Sequence, residues 1–443
     1  MSTLLVRQMK KPIMLALAFL VFFVPILLTV NTGQAQAAAP VLNLDVRSAI
    51  MIEAKTGKIL YKYNENQAFP PASMTKMMTE YLVLDAIQKK KLSWDQKVTV
   101  DEYGAFLGKS KTSGVLLALN EVHTVKELYD AMAIYSANDA TVMLAKTVAG
   151  SESEFIKLMN KTAKEFGMTQ TYFATSTGLP LADLKQFASE SATGENMMSA
   201  RDSAILAKEL LTRYPELLET TKIPHKTFRE GTSRPLKMDN WNWMLPGLVK
   251  QYAGVDGLKT GHTNAAGFCF TGTGERNGVR LITVVMGAKS FLSRFTETSK
   301  MLDYGFTNYK MQPLLKKGAQ VPGGEMAKVD RGTDKEVAAL ASQDVLYPVK
   351  AGEEGVYKPK AVVKQVTAPI KQGQEVGSIK IVGSNGKADE FLRPIDEQKA
   401  GGTLVAKDEV EEVGWIRLAF RSFFGFIGDI FSGLGNMIKG LFS

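Results

Sequence analysis

Along the first two thirds of the chain, hydrophobic and polar residues follow the pattern of strands and then the pattern of helices. Short apolar runs at 49–52 and 59–61 flank Lys55-Thr56-Gly57, and this arrangement predicts a β-hairpin. Two prolines then precede a stretch from Ser73 to about Lys90, which is predicted to be helical because a helix entrance tolerates proline.

Two further helices are predicted from residues that cap helix starts. Thr124 is followed three residues later by Glu127, which forms a capping box for the free amides of the first turn. Ser199 and Asp202 have the same spacing, and leucines recur at helical steps after them. Helices are therefore expected between the first hairpin and the strands that follow.

After Asp256 the pattern returns to strands. Apolar runs at 267–272 and 279–285 surround Arg276-Asn277-Gly278, and Asn-Gly between such runs is a strong hairpin signal. A helix at about 296–304 is expected to end this part of the chain. The order hairpin, helices, hairpin and helix predicts an α+β domain, with an antiparallel sheet and helices on both sides of it.

We place this first domain at residues 40–311 and a second, small β-rich domain at residues 312–408. The second region contains short β-prone runs, such as 361–363 and 378–382, separated by Pro-Gly and Asn-Gly turns. It contains no convincing catalytic cluster, so the chemistry is expected in the first domain.

Residues 410–443 are predicted to form an amphipathic helix. Their apolar residues recur at steps of three and four and fall on one narrow stripe: Ile416, Phe420, Phe423, Ile427, Ile430, Leu434, Ile438 and Leu441. A helix that spans a bilayer is apolar all round over roughly 20 residues, so this two-faced helix is expected to lie in a membrane interface. Packing of the stripe on the protein itself or on a partner is the alternative.

Residues 1–37 have the features of a secretory signal peptide. Basic residues at 7, 10 and 11 precede an apolar run at 12–30, and Ala35-Gln36-Ala37 offers the small-x-small pattern of a cleavage site. We expect cleavage after Ala37 and a mature protein outside the cytoplasm. An uncleaved membrane anchor is the alternative.

Composition narrows the classes of partner and cofactor. The 443 residues are 45% hydrophobic and 22% charged, as in globular proteins, and the formal charge of +9 suits an anionic partner such as phospholipid or cell wall. The sequence has no zinc-finger spacing and no dense basic run, so nucleic-acid binding is not expected. With Cys269 as the single cysteine and three scattered histidines, we expect no disulfide, no metal and no cofactor.

Ser73-Met74-Thr75-Lys76 is a candidate catalytic pair. A serine hydroxyl is a poor nucleophile at neutral pH unless a base lies within hydrogen-bond reach, and positions i and i+3 share a face of a helix. The lysine must be neutral to act as the base, so its pKa must be lowered by burial or by nearby positive charge. Free amides at the helix entrance can in addition stabilise a developing oxyanion.

Short motifs of this kind are weak alone, and the chain repeats two of them. Ser-x-x-Lys occurs again at residues 384–387, and Lys-Thr-Gly occurs at residues 55–57 as well as 259–261. The ordered set is specific, because Ser73-x-x-Lys76 precedes Ser136-Ala137-Asn138, and Lys259-Thr260-Gly261 follows on a strand. This triple set is the signature of β-lactamases and penicillin-binding proteins.

On these motifs, residues 46–310 resemble the penicillin-binding domain of low-molecular-weight D-alanyl-D-alanine carboxypeptidases, and the β domain and the tail match the family's layout. The resemblance implies a β-lactamase/transpeptidase-like fold. It also implies a serine peptidase of the cell envelope, peripheral on the outer face of the cytoplasmic membrane. Such an enzyme removes the terminal D-alanine from peptidoglycan pentapeptides ending in D-Ala-D-Ala, and β-lactams inhibit it.

The resemblance also implies roles for the motif residues. Ser73 would attack the carbonyl of the penultimate D-alanine and Lys76 would accept its proton. Ser136 would relay a proton toward the leaving amine, while Lys259 and Lys76 lower each other's pKa. Asn138 would hold the substrate's peptide carbonyl.

Substrate binding would fall to the third motif and its neighbours. The backbone amides of Ser73 and His262 would form the oxyanion hole beside Gly261. Thr260 and Thr263 would help to hold the terminal carboxylate, and Arg294 matches a family arginine with the same task. A salt-bridged arginine at an exposed helix entrance is the alternative for that last residue.

Two departures from the family pattern and three competing functions remain. Thr175 replaces the asparagine of the family's Phe-x-Asn-x-x-Gly-Leu loop, and Cys269 is expected to be a buried small hydrophobe. A β-lactamase would need a hydrolytic device such as Glu-x-x-Leu-Asn, which residues 139–200 lack. The two further competing functions are a minor transpeptidase activity and a non-catalytic envelope scaffold.

Overall fold

The computed structural model describes residues 42–189, 192–384 and 388–414. The predicted signal peptide and most of the predicted C-terminal helix lie outside these ranges. Within them, no helix combines the length and the hydrophobicity that crossing a bilayer requires.

A five-stranded antiparallel sheet forms the centre of the first domain. With strands numbered in chain order, its members are β1 (Ser48–Glu53), β2 (Ile59–Tyr63), β9 (Val255–Thr263), β10 (Gly267–Arg276) and β11 (Val279–Ala288), arranged β2-β1-β11-β10-β9. Both predicted hairpins are therefore confirmed. At the β10–β11 turn, Asn277 and Gly278 have φ of 51° and 75°, the conformation that favours Asn-Gly in a two-residue hairpin.

The sheet separates two layers of helices because successive side chains of a strand point to opposite faces. Ile50 faces the core of the larger helical layer. Met51 and Leu281 point the other way, toward Gly305 in the long helix Ser293–Asn308. A Cβ on Gly305 would lie 2.5 Å from Leu281, so glycine lets this helix approach the sheet closely. The predicted α+β arrangement with helices on both sides is confirmed.

The larger helical layer begins with a 3-10 turn, Ala72–Thr75, that leads directly into the first α-helix. Its α-helices are α1 (Lys76–Gln88), α2 (Glu102–Gly108), α3 (Val125–Tyr135), α4 (Asn138–Ala149), α5 (Glu152–Glu165), α6 (Leu181–Leu184), α7 (Ala200–Arg213) and α8 (Leu218–Thr221). The layer also contains 3-10 turns and short strands: Lys185–Phe187, Pro215–Leu217, β3 (Ala68–Phe69), β4 (Lys97–Thr99), β5 (Val122–Thr124), β6 (Met198–Ser199), β7 (His225–Phe228) and β8 (Leu236–Asp239).

Both predicted helix caps are present in the structure. Thr124 and Glu127 exchange the two hydrogen bonds of a capping box before α3, and Ser199 accepts a hydrogen bond from Asp202 N before α7. These bonds satisfy amides that have no partner within the helix. The helix expected at 296–304 is α9 (Ser293–Asn308), which extends further at both ends.

The second domain begins at Tyr309, directly after α9. Its elements are β12 (Tyr309–Leu315), β13 (Met326–Asp330), β14 (Glu336–Ala341), β15 (Val345–Lys350), β16 (Tyr357–Val363), β17 (Val366–Thr367), β18 (Glu375–Gly383), α10 (Pro394–Lys399) and β19 (Thr403–Ala406). Six strands form one sheet, β16-β18-β19-β14-β13-β17, and β12 pairs with β15. The predicted all-β character of this domain is confirmed.

The residues after 408 complete this β domain. Val410 pairs with Ile370, and Val413 is buried and donates its backbone N–H to Arg331 O at 2.8 Å. Residues 410–414 are therefore extended and are not part of a helix, whereas the sequence placed the start of the C-terminal helix at residue 410. The remainder of that helix lies outside the described residues.

The turn of the first hairpin contacts the β domain. Lys58 Nζ forms an ion pair with Asp389 at 2.9 Å and lies 4.7 Å and 4.5 Å from the ring centres of Tyr347 and Tyr357. Burial lowers the pKa of Lys58, and Asp389 opposes that effect. The Lys-Thr-Gly at residues 55–57 thus lies beside a structural contact and not in the cleft described next.

Candidate active site

The first motif lies where the 3-10 turn meets α1. Ser73 is half-buried in the turn, and Lys76 is the first residue of the helix. Lys76 Nζ lies 2.9 Å from Ser73 Oγ, as the i, i+3 spacing predicts.

Lys76 is held by three oxygen atoms in a buried environment. Its Nζ also lies 2.7 Å from Asn138 Oδ1 and 2.8 Å from Thr177 O, and the residue is 1% exposed. Burial lowers the pKa of Lys76 well below its ordinary value, and the nearby charge of Lys259 lowers it further. Both effects favour the neutral form of the amine.

The second motif lies at the break between α3 and α4. Ser136 ends α3 with a left-handed φ of 62°, and Asn138 begins α4. Among the described residues, the buried Ser136 hydroxyl has no hydrogen-bond partner. Because buried hydroxyls are normally paired and this residue lines the cleft, the hydroxyl is available to a bound molecule.

The third motif lies on β9, the edge strand that passes beside the turn of Ser73. A Cβ on Gly261 would lie 2.4 Å from Pro71 O and 3.2 Å from Ser73 N. Only glycine permits this approach of strand and turn. The glycine of the motif therefore brings the backbone of β9 next to the serine.

A buried glutamate accompanies the two lysines. Burial lowers the pKa of Lys259 to about 7, with Glu80 opposing this shift and Arg294 adding to it. Glu80 is 3% exposed, lies one helical turn beyond Lys76 on α1 and accepts a hydrogen bond from Tyr129 Oη at 2.7 Å. Burial raises the pKa of Glu80 to about 7.

The three motifs line one cleft of about 240 Å³. Its lining residues are Ser73, Ser113, Ser136, Trp241, Thr260, Gly261, His262, Phe268, Phe291 and Arg294. His262 stacks on Phe268 with ring centres 4.1 Å apart. Thr263 is not part of this lining and borders a neighbouring depression instead. Its Oγ1 accepts a hydrogen bond from Ala266 N.

Arg294 is buried, which excludes the exposed, salt-bridged alternative. It is 2% exposed, and its guanidinium lies 4.4 Å from the ring centre of Phe291 and 4.8 Å from that of Phe295. Its Nη1 donates to Gly261 O at 3.4 Å, and its Nε has no partner among the described residues. Burial lowers the pKa of Arg294 to about 10, so the group remains a cation that lines the cleft.

The loop at 173–179 supports the floor of the site. Thr177 supplies the carbonyl that binds Lys76, and Gly178 has φ of 82° with no room for a Cβ, which would lie 2.0 Å from Ala72 O. Thr175 Oγ1 accepts a hydrogen bond from Gly178 N at 3.0 Å. The threonine that departs from the family pattern therefore stabilises the turn of this loop.

The single cysteine of the chain does not line the cleft. Cys269 is fully buried, and burial raises its pKa to about 11, so the thiol is protonated and inert, as a small hydrophobe would be. In the part of the chain that the structure describes, no group of three His, Cys, Asp or Glu side chains could hold a metal ion.

Several residues of the site were not found from the sequence. Ser113, Trp241 and Phe291 reach the cleft from loops far apart along the chain, and no local pattern marks them. Glu80 could have been predicted as a site residue, because it is an acidic residue on the same helix face as Ser73 and Lys76.

Two family models match the chain over the two domains. The model described as D-alanyl-D-alanine carboxypeptidase matches residues 33–290, and the model described as penicillin-binding protein 5, C-terminal domain, matches residues 309–412.

Individual relatives match over most of the chain. The D-alanyl-D-alanine carboxypeptidase DacF of Bacillus subtilis is 36% identical over 381 residues, which are 85% of this chain and 89% of the relative. A solved peptidoglycan synthesis regulatory factor (PBP3) from Streptococcus pneumoniae has a TM-score of 0.73 at 31% identity, covering 83% of this chain and all of that one. Penicillin-Binding Protein D2 from Listeria monocytogenes, solved in its ampicillin-bound form, has a TM-score of 0.52 at 33% identity, covering 60% and 100%.

Proposed function

This chain belongs to the D-alanyl-D-alanine carboxypeptidase family and is a serine-type enzyme of that activity, and we propose that Ser73 is its nucleophile. Ser73 Oγ attacks the carbonyl of the penultimate D-alanine, the bond to the terminal D-alanine breaks, and water then hydrolyses the acyl-enzyme ester. The observation that carries this proposal is the 2.9 Å contact of Ser73 Oγ with a buried lysine amine.

Lys76 is proposed as the base of acylation. A neutral amine has two N–H groups and one lone pair, and Asn138 Oδ1 and Thr177 O are both acceptors that take the N–H groups. The lone pair is thereby left for the proton of Ser73. Asn138 keeps its amide NH₂ for the substrate's peptide carbonyl.

Ser136 is proposed to carry a proton to the leaving amine. Its buried hydroxyl has no partner among the described residues, and Ser136 lines the cleft together with Ser73 and the third motif. Lys259 supports this step because its pKa of about 7 leaves the amine partly protonated at neutral pH. Its charge also lowers the pKa of Lys76. The proton that Ser136 donates leaves with the released D-alanine, and the proton that Lys76 took from Ser73 replaces it on Ser136. When water attacks the ester, Lys76 takes a proton from the water and returns it to Ser73 Oγ.

The oxyanion and the terminal carboxylate are proposed to bind on opposite sides of the reacting carbonyl. The amides of Ser73 and His262 flank the point where Gly261 meets the turn, which suits an oxyanion hole. Arg294 and Thr260 are the cation and the hydroxyl best placed for the carboxylate, because both line the cleft. Thr263 is a weaker candidate, since its hydroxyl already serves the β9–β10 turn.

Glu80→Gln is expected to change the pH dependence of acylation. Glu80 raises the pKa of Lys259, so removing the negative charge lowers that pKa, and the alkaline limb moves to lower pH by about one unit. The measurement is the rate of penicillin acylation as a function of pH, from about 5 to about 10. Glu80→Asp should leave the alkaline limb close to its position in the natural enzyme because it keeps the charge.

A matched control for this variant is Asp202→Asn. Asp202 is another buried carboxylate, but it bonds Gln170 N and Thr171 Oγ1 away from the cleft. Its replacement should leave the limb in place. An unshifted limb in Glu80→Gln would show that Glu80 does not act through Lys259.

The mature enzyme is proposed to work outside the cytoplasm, peripheral on the membrane surface through the amphipathic stripe of residues 415–443.

A β-lactam is proposed to acylate Ser73, as the ampicillin-bound relative suggests. Treatment with penicillin followed by peptide mass mapping tests this: a stable adduct on Ser73 and release of D-alanine from a D-Ala-D-Ala pentapeptide are expected. Rapid turnover of the penicillin would favour the β-lactamase alternative.

Deleting residues 415–443 is expected to move the enzyme from the membrane fraction to the soluble fraction with its penicillin labelling intact. The cut falls after Gly414 because Val413 is buried in the β domain. Fractionation of cells followed by labelled penicillin is the measurement. A truncated enzyme that stays with the membranes would contradict the proposed anchor.

A further inference from the structure

A continuous row of rings joins the two walls of the cleft. Tyr135 lies 6.2 Å from Trp241, Trp241 lies 6.2 Å from Phe291, Phe291 lies 6.4 Å from Phe268, and Phe268 stacks on His262 at 4.1 Å, measured between ring centres. We call these five residues the aromatic arc. It begins at the residue before Ser136 and ends on strand β9.

Trp241 is the member that closes the gap between the walls. Its indole Nε1 donates to Tyr135 O at 2.9 Å, which fixes the ring to the end of α3. Its other contact is the edge of Phe291, at the start of the segment that leads into α9. Trp241 is nevertheless 37% exposed, and it is one of the residues that line the cleft.

Phe291 places the arc beside the cation of the cleft. The guanidinium of Arg294 lies 4.4 Å from the Phe291 ring centre, so the ring packs against the cation. A carboxylate bound by Arg294 would therefore have aromatic rings directly around it. The cleft volume of about 240 Å³ is also below the roughly 300–1,000 Å³ of pockets for drug-sized ligands.

We propose that the aromatic arc closes the cleft around the terminal residue of the substrate, so that only a small residue with nothing beyond its carboxylate fits. The inference rests on the proposed binding of that carboxylate by Arg294. Trp241 and Phe291 then determine specificity: they make the enzyme a carboxypeptidase for D-alanine and exclude both bulkier terminal residues and chains that continue. The competing explanation is that the rings only pack the two walls together.

Peptides with a graded terminal residue test this inference. One stem peptide is prepared with D-alanine, D-valine or D-leucine as the last residue, all with a free carboxylate, and with glycine added after D-Ala-D-Ala. For the natural enzyme, kcat/KM is expected to fall by about 100-fold from D-alanine to D-leucine. In Trp241→Ala and in Phe291→Ala that ratio should shrink to about 10-fold or less. Cleavage between the two D-alanines of the glycine-extended peptide, which releases D-Ala-Gly, should also appear.

Two controls separate selectivity from general damage. Phe187→Ala removes another half-buried ring, which stacks on Tyr103 at 4.7 Å outside the cleft, and should keep the natural ratio. Trp241→Phe keeps a ring at the position and should give an intermediate ratio. Because the readout is a ratio between substrates, a uniform loss of activity does not imitate the expected result.

The outcomes distinguish this inference from the function beneath it. If the natural enzyme released D-alanine but also cleaved the D-leucine peptide equally well, the arc would not limit the substrate. Unchanged ratios in both Trp241→Ala and Phe291→Ala would likewise overturn the inference while leaving the carboxypeptidase mechanism in place. Failure of the natural enzyme to release D-alanine at all would overturn both.

Discussion

Ser73→Ala is expected to abolish both penicillin labelling and D-alanine release, with a loss of at least about four orders of magnitude in the rate of acylation. The variant keeps the cleft and the buried lysine but has no oxygen to accept the acyl group. Because the Ser73 hydroxyl contacts only Lys76 among the hydrogen bonds of the described residues, the free energy of unfolding should change by about 1 kcal/mol or less. Intact-protein mass after penicillin treatment and a D-alanine assay are the measurements.

Ser384→Ala is the matched control for this variant. Ser384 is the serine of the second Ser-x-x-Lys sequence, and its hydroxyl donates to Val356 O in the β domain. Labelling should be unaffected by this change. A penicillin adduct that persisted in Ser73→Ala, or that mapped to Ser384, would refute the assignment of the nucleophile.

Lys76→Ala is expected to slow acylation by about a thousandfold or more, the range of a lost general base. The acid limb of the pH profile should disappear as well. In the natural enzyme the rate rises with pH as Lys76 loses its proton, and the lowered pKa of this amine places that rise below its ordinary titration range. Removing the amine removes the titration, so the residual rate should vary little with pH on that side.

The matched control for Lys76→Ala is Lys58→Ala. Lys58 is also a buried lysine whose pKa is lowered by burial, but it pairs with Asp389 at the contact between the domains. Its removal leaves Asp389 without its cation and should lower the melting temperature, with the acylation rate within about threefold of the natural enzyme. An acid limb that survived in Lys76→Ala would mean that another group is the base.

Part of this architecture follows from neighbours in the chain. The helix caps at Thr124 and Ser199, the Asn-Gly hairpin and the i, i+3 pairing of Ser73 with Lys76 each involve residues within four positions of one another. Their geometry is set by backbone conformation and local hydrogen bonds, which a sequence pattern reports directly. The order of the domains could also be predicted, because the alternating pattern of strands differs from the three- and four-residue steps of helices.

The sequence was less informative where residues meet across long separations. It placed the helix start at residue 410, whereas Val410 and Val413 are held by strand partners in the β domain. It left Arg294 open between a carboxylate anchor and an exposed salt bridge, and burial among rings excluded the exposed salt bridge. It did not find Trp241, whose position depends on a contact with Tyr135, 106 residues away.

By itself, the sequence determined the fold class, the family and the order of the catalytic motifs, because each depends on short segments whose chemistry is visible in place. Only the tertiary structure decided how the site works. The lowered pKa of Lys76 comes from burial and from Lys259. The closeness of β9 to Ser73 comes from a missing Cβ at Gly261, and the end of the cleft comes from rings on separate loops. Desolvation, steric fit and long-range charge arise only when the chain has folded, so no local pattern records them.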